Sequence, residues 1–407
     1  MKNIFYIFIF LSFSSFSQNE GNIWYFGENA GLDFNSGVPV ALTNGMLNTR
    51  EGCASISDNN GDLLFYTDGM VVYNKNHILM PNGSGLLGNS SSTQSAVIIK
   101  KPGSTTIYYI LTVDHIGGTE GLCYSEVDLS LDGGQGDING IKNIQILTST
   151  CEKLTAIKHQ NGTDFWIITR LNNSNAYHTY LVNSSGINMN PVITNIGLSA
   201  CQIGQLKGSP DGNKITAVNF TGPCEIIDFD NLTGILNNAT TFNIGLNANP
   251  YGVEFSPNSS LVYISEYSGP VYQYDILSMN ILEISPPSIF SRNGSLQLAP
   301  DGKIYLADEV NSELHVIPNP NTLGLGCNFV LNSVPLLGKV CRLGLPTFFS
   351  SIFLPQIDTC ILPEANIPDT IIICDTSITL TAESAHTYLW STGDTTQSII
   401  VNQSGDY

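Results

Sequence analysis

Six histidines, His77, His115, His159, His178, His315 and His386, are the side chains best suited to acid–base or metal chemistry near neutral pH, and none lies at a close metal-ligand spacing. No HExxH pair and no GxSxG nucleophile elbow occurs. The stretch from Asp128 to Asn143, with Asp132, Asp137 and several glycines, superficially suggests a calcium loop. It lacks the terminal Glu of a calcium-binding helix-loop-helix, so a solvated glycine-rich connection is the reading taken, and Asp58 to Asp62 is read the same way. No catalytic, cofactor-binding or metal-binding residue is assigned, and no cofactor is expected. Two carboxylates from distant segments could still meet about 5 to 10 Å apart, as in glycosidases, and no local motif would show it.

None of the nine cysteines forms a CxxC pair, which leaves zinc-ribbon and thioredoxin chemistry without support. In an exported chain disulfides are the default. Cys123 with Cys151, Cys201 with Cys224, and Cys327 with Cys341 are the local candidates, and at least two disulfides are expected in the repeated region.

A recurring unit must position whatever chemistry there is. Turns centred on Gly61, Gly103, Gly162, Gly212, Ser259 and Gly302 lie 42, 59, 50, 47 and 43 residues apart. Each precedes a strand rich in aromatic and β-branched residues, for example Leu63 to Tyr66, Phe165 to Ile168 and Ile304 to Ala307, and a third strand follows. That spacing is the period of a four-stranded propeller blade. Asp211-Gly212 and Asp301-Gly302 suit tight hairpins through positive φ, so both acids are read as turn acids. Tyr108, Tyr109, Trp166 and Tyr305 could be carbohydrate platforms but are read as packing residues between blades.

Six complete units leave orphan strands at Ile23 to Phe26, Gly31 to Phe34 and Leu343 to Leu354. Joining them gives a seventh blade made by both ends of the repeat, which hides sheet edges. The fold expected is all-β: a seven-bladed β-propeller over 18–355, closed by its N-terminal strands. A linker over 356–368 and an incomplete immunoglobulin-like β-sandwich over 369–407 would follow, the latter suggested by Cys374 and Trp390 and by a hairpin turn at Gly393-Asp394. The chain is read as stopping inside that sandwich at Tyr407.

Residues 1–17 combine Lys2, an apolar run from Ile4 and small residues Ser15 and Ser17 before Gln18, the pattern of a secretory signal peptide. No later stretch reaches the roughly 18 apolar residues of a membrane span. The formal net charge of −19 sets aside nucleic acid and anionic lipid as partners, since both need clustered Lys and Arg.

With these residues in place the chain resembles a known group, the large secreted proteins of gliding and related Bacteroidota, which end in a gliding-motility-associated sorting domain of type IX secretion. The resemblance is carried by Asn22-Ile-Trp-Tyr-Phe-Gly27, Ala30-Gly-Leu-Asp-Phe34, Ser209-Pro-Asp-Gly212, Leu298-Ala-Pro-Asp-Gly-Lys-Ile-Tyr305, Tyr388-Leu-Trp-Ser-Thr-Gly393, Thr396-Gln-Ser-Ile399 and Ser404-Gly-Asp-Tyr407. It implies export to the medium or the outer cell surface through the type IX machinery, engaged by a domain beyond Tyr407. The expected function is non-catalytic binding or adhesion by a monomer, its ligand an extracellular glycan or protein, with the chain more an adhesin than an enzyme. A structural display or stalk module is the alternative, and a propeller polysaccharide hydrolase or lyase the second.

Overall fold

The computed structural model describes residues 19–199, 203–285, 292–353, 377–381 and 390–402. The expected signal peptide, Cys201, Cys360, Cys374 and the expected linker lie outside the described residues, as does His386. Two compact units divide between Pro355 and Gln356. Among the described residues no helix is long and apolar enough to cross a membrane.

The first unit is a seven-bladed β-propeller. Blade two pairs Ala54–Ser57, Leu63–Thr67, Val71–Asn74 and Leu79–Ser84 in order. Blades five, six and seven repeat this four-stranded meander from Leu206–Gly208, Pro250–Phe255 and Asn293–Leu298 outward. Blades three and four, which start at Ala96–Lys100 and Thr150–Lys158, each add a fifth strand on the outside. In blade three, both Asp137–Ile138 and Ile144–Leu147 pair with Leu122–Asp128. The glycine-rich connection is therefore less solvated than its sequence suggests: Asp137 is buried and accepts hydrogen bonds from Asn82 N at 2.8 Å and Nδ2 at 2.6 Å.

Middle strands are buried on both faces, as Ile304–Asp308 is throughout, because neighbouring blades cover both sides of each sheet. Their sequences are accordingly continuous apolar runs and not alternating ones. Edge-to-face aromatic pairs fill the blade interfaces: Phe65 with Tyr108 at 5.7 Å, Trp166 with Phe229 at 6.4 Å and Trp24 with Tyr305 at 5.8 Å. Tyr108, Tyr109, Trp166 and Tyr305 are all buried.

At all six repeat turns the central residue takes positive φ, from 60° at Ser259 to 89° at Gly61. Asp211 and Asp301 do not share that conformation, which corrects the expected hairpin geometry. Asp211 instead accepts from Ser209 Oγ and Asn213 N, and Asp301 from Lys303 Nζ at 2.9 Å and Tyr305 Oη at 2.7 Å.

Blade one joins the two ends of the propeller. Ile23–Phe26, Ala30–Asp33 and Val40–Leu42 form a three-stranded sheet. Residues 343–345 take the innermost position: Ser295 N donates to Leu343 O at 2.7 Å and Leu343 N to Arg50 O at 2.9 Å. Glycines mark these inner crossings. A Cβ on Gly252 would meet Gly294 O at 2.3 Å, on Gly294 would meet Leu343 O at 2.2 Å, on Gly344 would meet Glu51 O at 1.7 Å, and on Gly52 would meet Ser95 N at 2.1 Å. Blades six, seven, one, two and three thus touch backbone to backbone around the axis, where no side chain fits. The expected strand from Leu343 to Leu354 is not a regular one: Pro346 bridges Cys53, and a 3-10 turn follows at Ser350–Phe353.

In the second unit Ile378–Thr381 pairs with Ser398–Val401, and Trp390 packs with Ile399, Val401 and Leu380. Gly393, at φ 88°, closes the expected turn, with Trp390 N donating to Asp394 O at 2.9 Å.

The cysteines correct the sequence reading. Cys53, Cys123, Cys224, Cys327 and Cys341 are buried free thiols, so none of the three local pairs forms. Cys151 is disulfide-bonded, but the propeller's seven cysteines leave room for at most one disulfide where two were expected. Nearness in sequence does not bring them together: Cys123 lies on Leu122–Asp128 of blade three and Cys151 on Thr150–Lys158 of blade four, each buried in its own place.

Candidate active site

The inner strands begin at one end of the axis, and the residue positions just before or within their first turn of backbone face one another across it. Glu51 precedes blade two, Thr93 precedes blade three, Glu152 lies at the start of blade four, Gly204 precedes blade five and Tyr251 opens blade six. Thr93 N and Oγ1 donate to Glu152 Oε2 at 3.0 and 2.8 Å, Ile116 N donates to Oε1 at 3.1 Å, and Gly204 N donates to Thr93 Oγ1 at 3.2 Å. Groups from five blades can meet only at the axis.

Glu51 and Glu152 form an unlike pair of carboxyls. Glu152 is 3% exposed and satisfied by three donors. Glu51 is 6% exposed and its Oε2 is enclosed by the protein; the Tyr251 hydroxyl stands against this carboxyl, close enough to act as a hydrogen-bond donor that eases its ionisation. Burial, and next the charge of Glu152, push the Glu51 carboxyl up to about 8. The same burial and the two carboxylates hold the Tyr251 phenol well above its ordinary range. At neutral pH Glu51 is a carboxylic acid, with a proton to donate.

Toward the face of the ring, Arg50 and Arg292 converge on Glu309. Arg50 Nη2 lies 2.8 Å from Oε1, Arg292 Nη1 lies 2.8 Å from Oε2, and Tyr267 Oη donates to Oε2 at 3.3 Å. Burial raises the Glu309 carboxyl, but the hydrogen bonds from Arg292 and Arg50 outweigh it and hold the group below its usual range. Tyr267 also meets Phe220 edge-on at 5.5 Å and Tyr251 at a tilt at 6.0 Å, a short aromatic row next to the acids.

Buried polar side chains fix this arrangement from below. Gln94 Oε1 accepts from Leu206 N at 2.7 Å and Leu154 N at 3.3 Å, and Gln205 Oε1 accepts from Val253 N at 3.0 Å and Leu296 N at 3.2 Å. Each glutamine spans three inner strands. Lys207, fully buried, bonds Glu254 Oε2 at 2.9 Å and also Gln297 Oε1. Lys153 Nζ donates to Gly204 O and Val218 O at 2.7 Å each, and burial pushes its amine down to about 7. These strands hold their register against the axis, which rigid positioning of two acids requires.

The described histidines are not brought together. His77 packs on Tyr25 and Tyr66, His159 on Trp166, and His315 lies 3.6 Å from Asp308. His115 pairs with Asp114 at 2.7 Å. Among the described residues no group of three or more His, Cys, Asp or Glu side chains is spaced to hold a metal ion. A groove of about 630 Å³ lined by Asn243, Leu246, Tyr272 and Glu283 lies on the outer strands of blades five and six, away from the acid pair. The axis is the better candidate because the convergent acids are there.

No protein-family model and no curated protein matches the chain. Solved structures do. A protein from Lactobacillus plantarum is 12% identical over 80% of this chain and 99% of that one, with a TM-score of 0.49. The periplasmic gluconolactonase of Pseudomonas aeruginosa is 13% identical over 60% and 73%, with a TM-score of 0.39. Virginiamycin B lyase from Staphylococcus aureus is 10% identical over 67% and 80%, with a TM-score of 0.40. At this distance the likeness concerns the fold alone. The expectation of a non-catalytic adhesin is corrected by the axial pair: two carboxyls from distant segments, which no local motif shows, do meet in Glu51 and Glu152.

Proposed function

We propose that the propeller is a hydrolase or lyase acting on a polysaccharide by acid–base chemistry at its axis. One observation carries this reading: Glu51 is held protonated at neutral pH beside the separately hydrogen-bonded Glu152. In hydrolysis the Glu51 carboxyl would protonate the leaving oxygen as the carbon–oxygen bond breaks, while Glu152 takes a proton from the attacking water. In elimination the same acid would serve the leaving oxygen, and Glu152 would take the carbon-bound proton. Either way both carboxyls return to their starting states after product leaves and one proton is exchanged between them.

Secretion to the medium or the outer surface, and an immunoglobulin-like identity for the second unit, are proposed on the sequence features given above. Incubation with a panel of polysaccharides, followed by chromatographic and ultraviolet detection of shortened or unsaturated products, tests the catalytic reading. A ligand bound without turnover across that panel would count against it.

A further inference from the structure

The chain contains four arginines, Arg50, Arg170, Arg292 and Arg342. Arg170 is fully buried against Glu225 at 2.7 Å. The other three belong to one place at the axial mouth. Leu343, next to Arg342, donates its N–H to Arg50 O, and Glu309 N donates to Arg292 O at 3.0 Å. The Arg342 side chain reaches Glu28. In a chain with 34 acids and 15 lysines and arginines, such a concentration runs against the composition.

The exposures show how the cluster is arranged. The Glu309 side chain is 5% exposed, while those of Arg50 and Arg292 are 51% and 59% exposed. One buried carboxylate therefore anchors two guanidinium groups from the inside and leaves their outer edges toward solvent. A guanidinium so held presents paired donors that match a carboxylate. Three arginines gather here against Glu309 and Glu28, with Glu51 and Glu152 beneath them, so guanidinium groups concentrate at this opening of an anionic protein. Phe220 and Tyr267, both partly exposed, supply flat apolar surface beside it.

We propose that this mouth takes the carboxylate groups of an acidic saccharide, a uronic acid chain, with Arg50 and Arg292 as the anion contacts and Phe220 and Tyr267 against the sugar rings. The proposal rests on the catalytic reading for what happens to the sugar, but its binding is independent of turnover.

Isothermal titration of the full chain with tri-galacturonate, its fully methyl-esterified counterpart and inorganic sulfate tests it. The acid trimer is expected to bind at least about tenfold more tightly than the ester, the scale of one lost charged contact. Arg292→Ala should weaken the acid trimer by about tenfold and leave the ester unmoved, with Arg292→Lys between the two. Equal affinity for acid and ester, sulfate binding as tightly as the trimer, or no binding of the trimer would each overturn the proposal. If Arg292→Ala does not fold, the acid and ester comparison on the unaltered protein decides. Products are read separately: an acid trimer bound but left intact keeps this proposal and removes the catalytic one, while cleavage of a neutral polysaccharide by a protein blind to the trimer does the reverse.

Discussion

The Trp24 indole stands 5.9 Å from the Phe348 ring, joining the first strand of the propeller to the segment that enters last. Trp24 is fully buried, donates Nε1–H to Gly21 O at 2.8 Å and also contacts Phe34 and Tyr305. It holds both ends of the chain in one blade. Trp24→Ala is expected to destabilise the propeller by about 3–5 kcal/mol, the range for a large aromatic removed from a core. Denaturant unfolding checks this, and a midpoint unchanged from the parent protein would show that the closure does not depend on the contact.

The buried Lys207–Glu254 pair should show strong coupling. Lys207→Met or Glu254→Gln alone leaves the other charge fully buried without its counter-charge and should cost about 3–5 kcal/mol, whereas the double variant should recover a large part of that loss. A double-mutant cycle by urea unfolding gives the coupling directly. Additive single effects would contradict it.

Glu51 gives stability a pH dependence of definite sign. Burial and Glu152 push its carboxyl up to about 8 in the folded protein from an ordinary value of 4.5, so between those limits the folded state holds a proton that the unfolded state has released. The contribution is fully present below about pH 4.5 and is lost as pH rises through 8, at a slope of at most about 1.4 kcal/mol per pH unit. Glu51→Gln should remove this slope. Unfolding free energies at pH 5, 6.5 and 8 for both proteins decide, and parallel curves would rule the assignment out.

The five described free thiols should be silent in the folded protein. Burial pushes Cys123 up to about 11 and Cys341 up to about 12, which leaves almost no thiolate at neutral pH. Without reductant, Cys53, Cys123, Cys224, Cys327 and Cys341 are expected to resist alkylation until the chain is unfolded and then all to react. Recovery of any of them in a disulfide-linked peptide would contradict the structure.

Much of the ring was legible because blade turns are local: Gly61, Gly162, Gly212 and Gly302 sit at the positive φ that the turn chemistry implies, and the strands after them are apolar on both faces. The join of Trp24 to Phe348 was legible only by elimination, as strands without partners at both ends. The acid pair was not legible. Glu51 and Glu152 come from different blades and share no motif, and their meeting depends on the radius and rotation at which each inner strand starts. A signal did exist in Glu51-Gly52, Tyr251-Gly252 and Asn293-Gly294, where glycine allows the close inner crossing and the preceding residue sits at the axial end. The arginines were missed for a similar reason: net charge averages away three cations gathered at one mouth.

Glu51→Gln, compared with the unaltered protein on the same polysaccharide panel, tests the central claim most directly. The unaltered protein should release products at a rate that falls as pH rises through about 8, where the acid loses its proton. The variant, folded and still binding, should lose at least about 100-fold of that rate, the usual contribution of a positioned general acid. Products formed equally by both proteins would contradict the account, as would a tightly bound polysaccharide that neither protein alters.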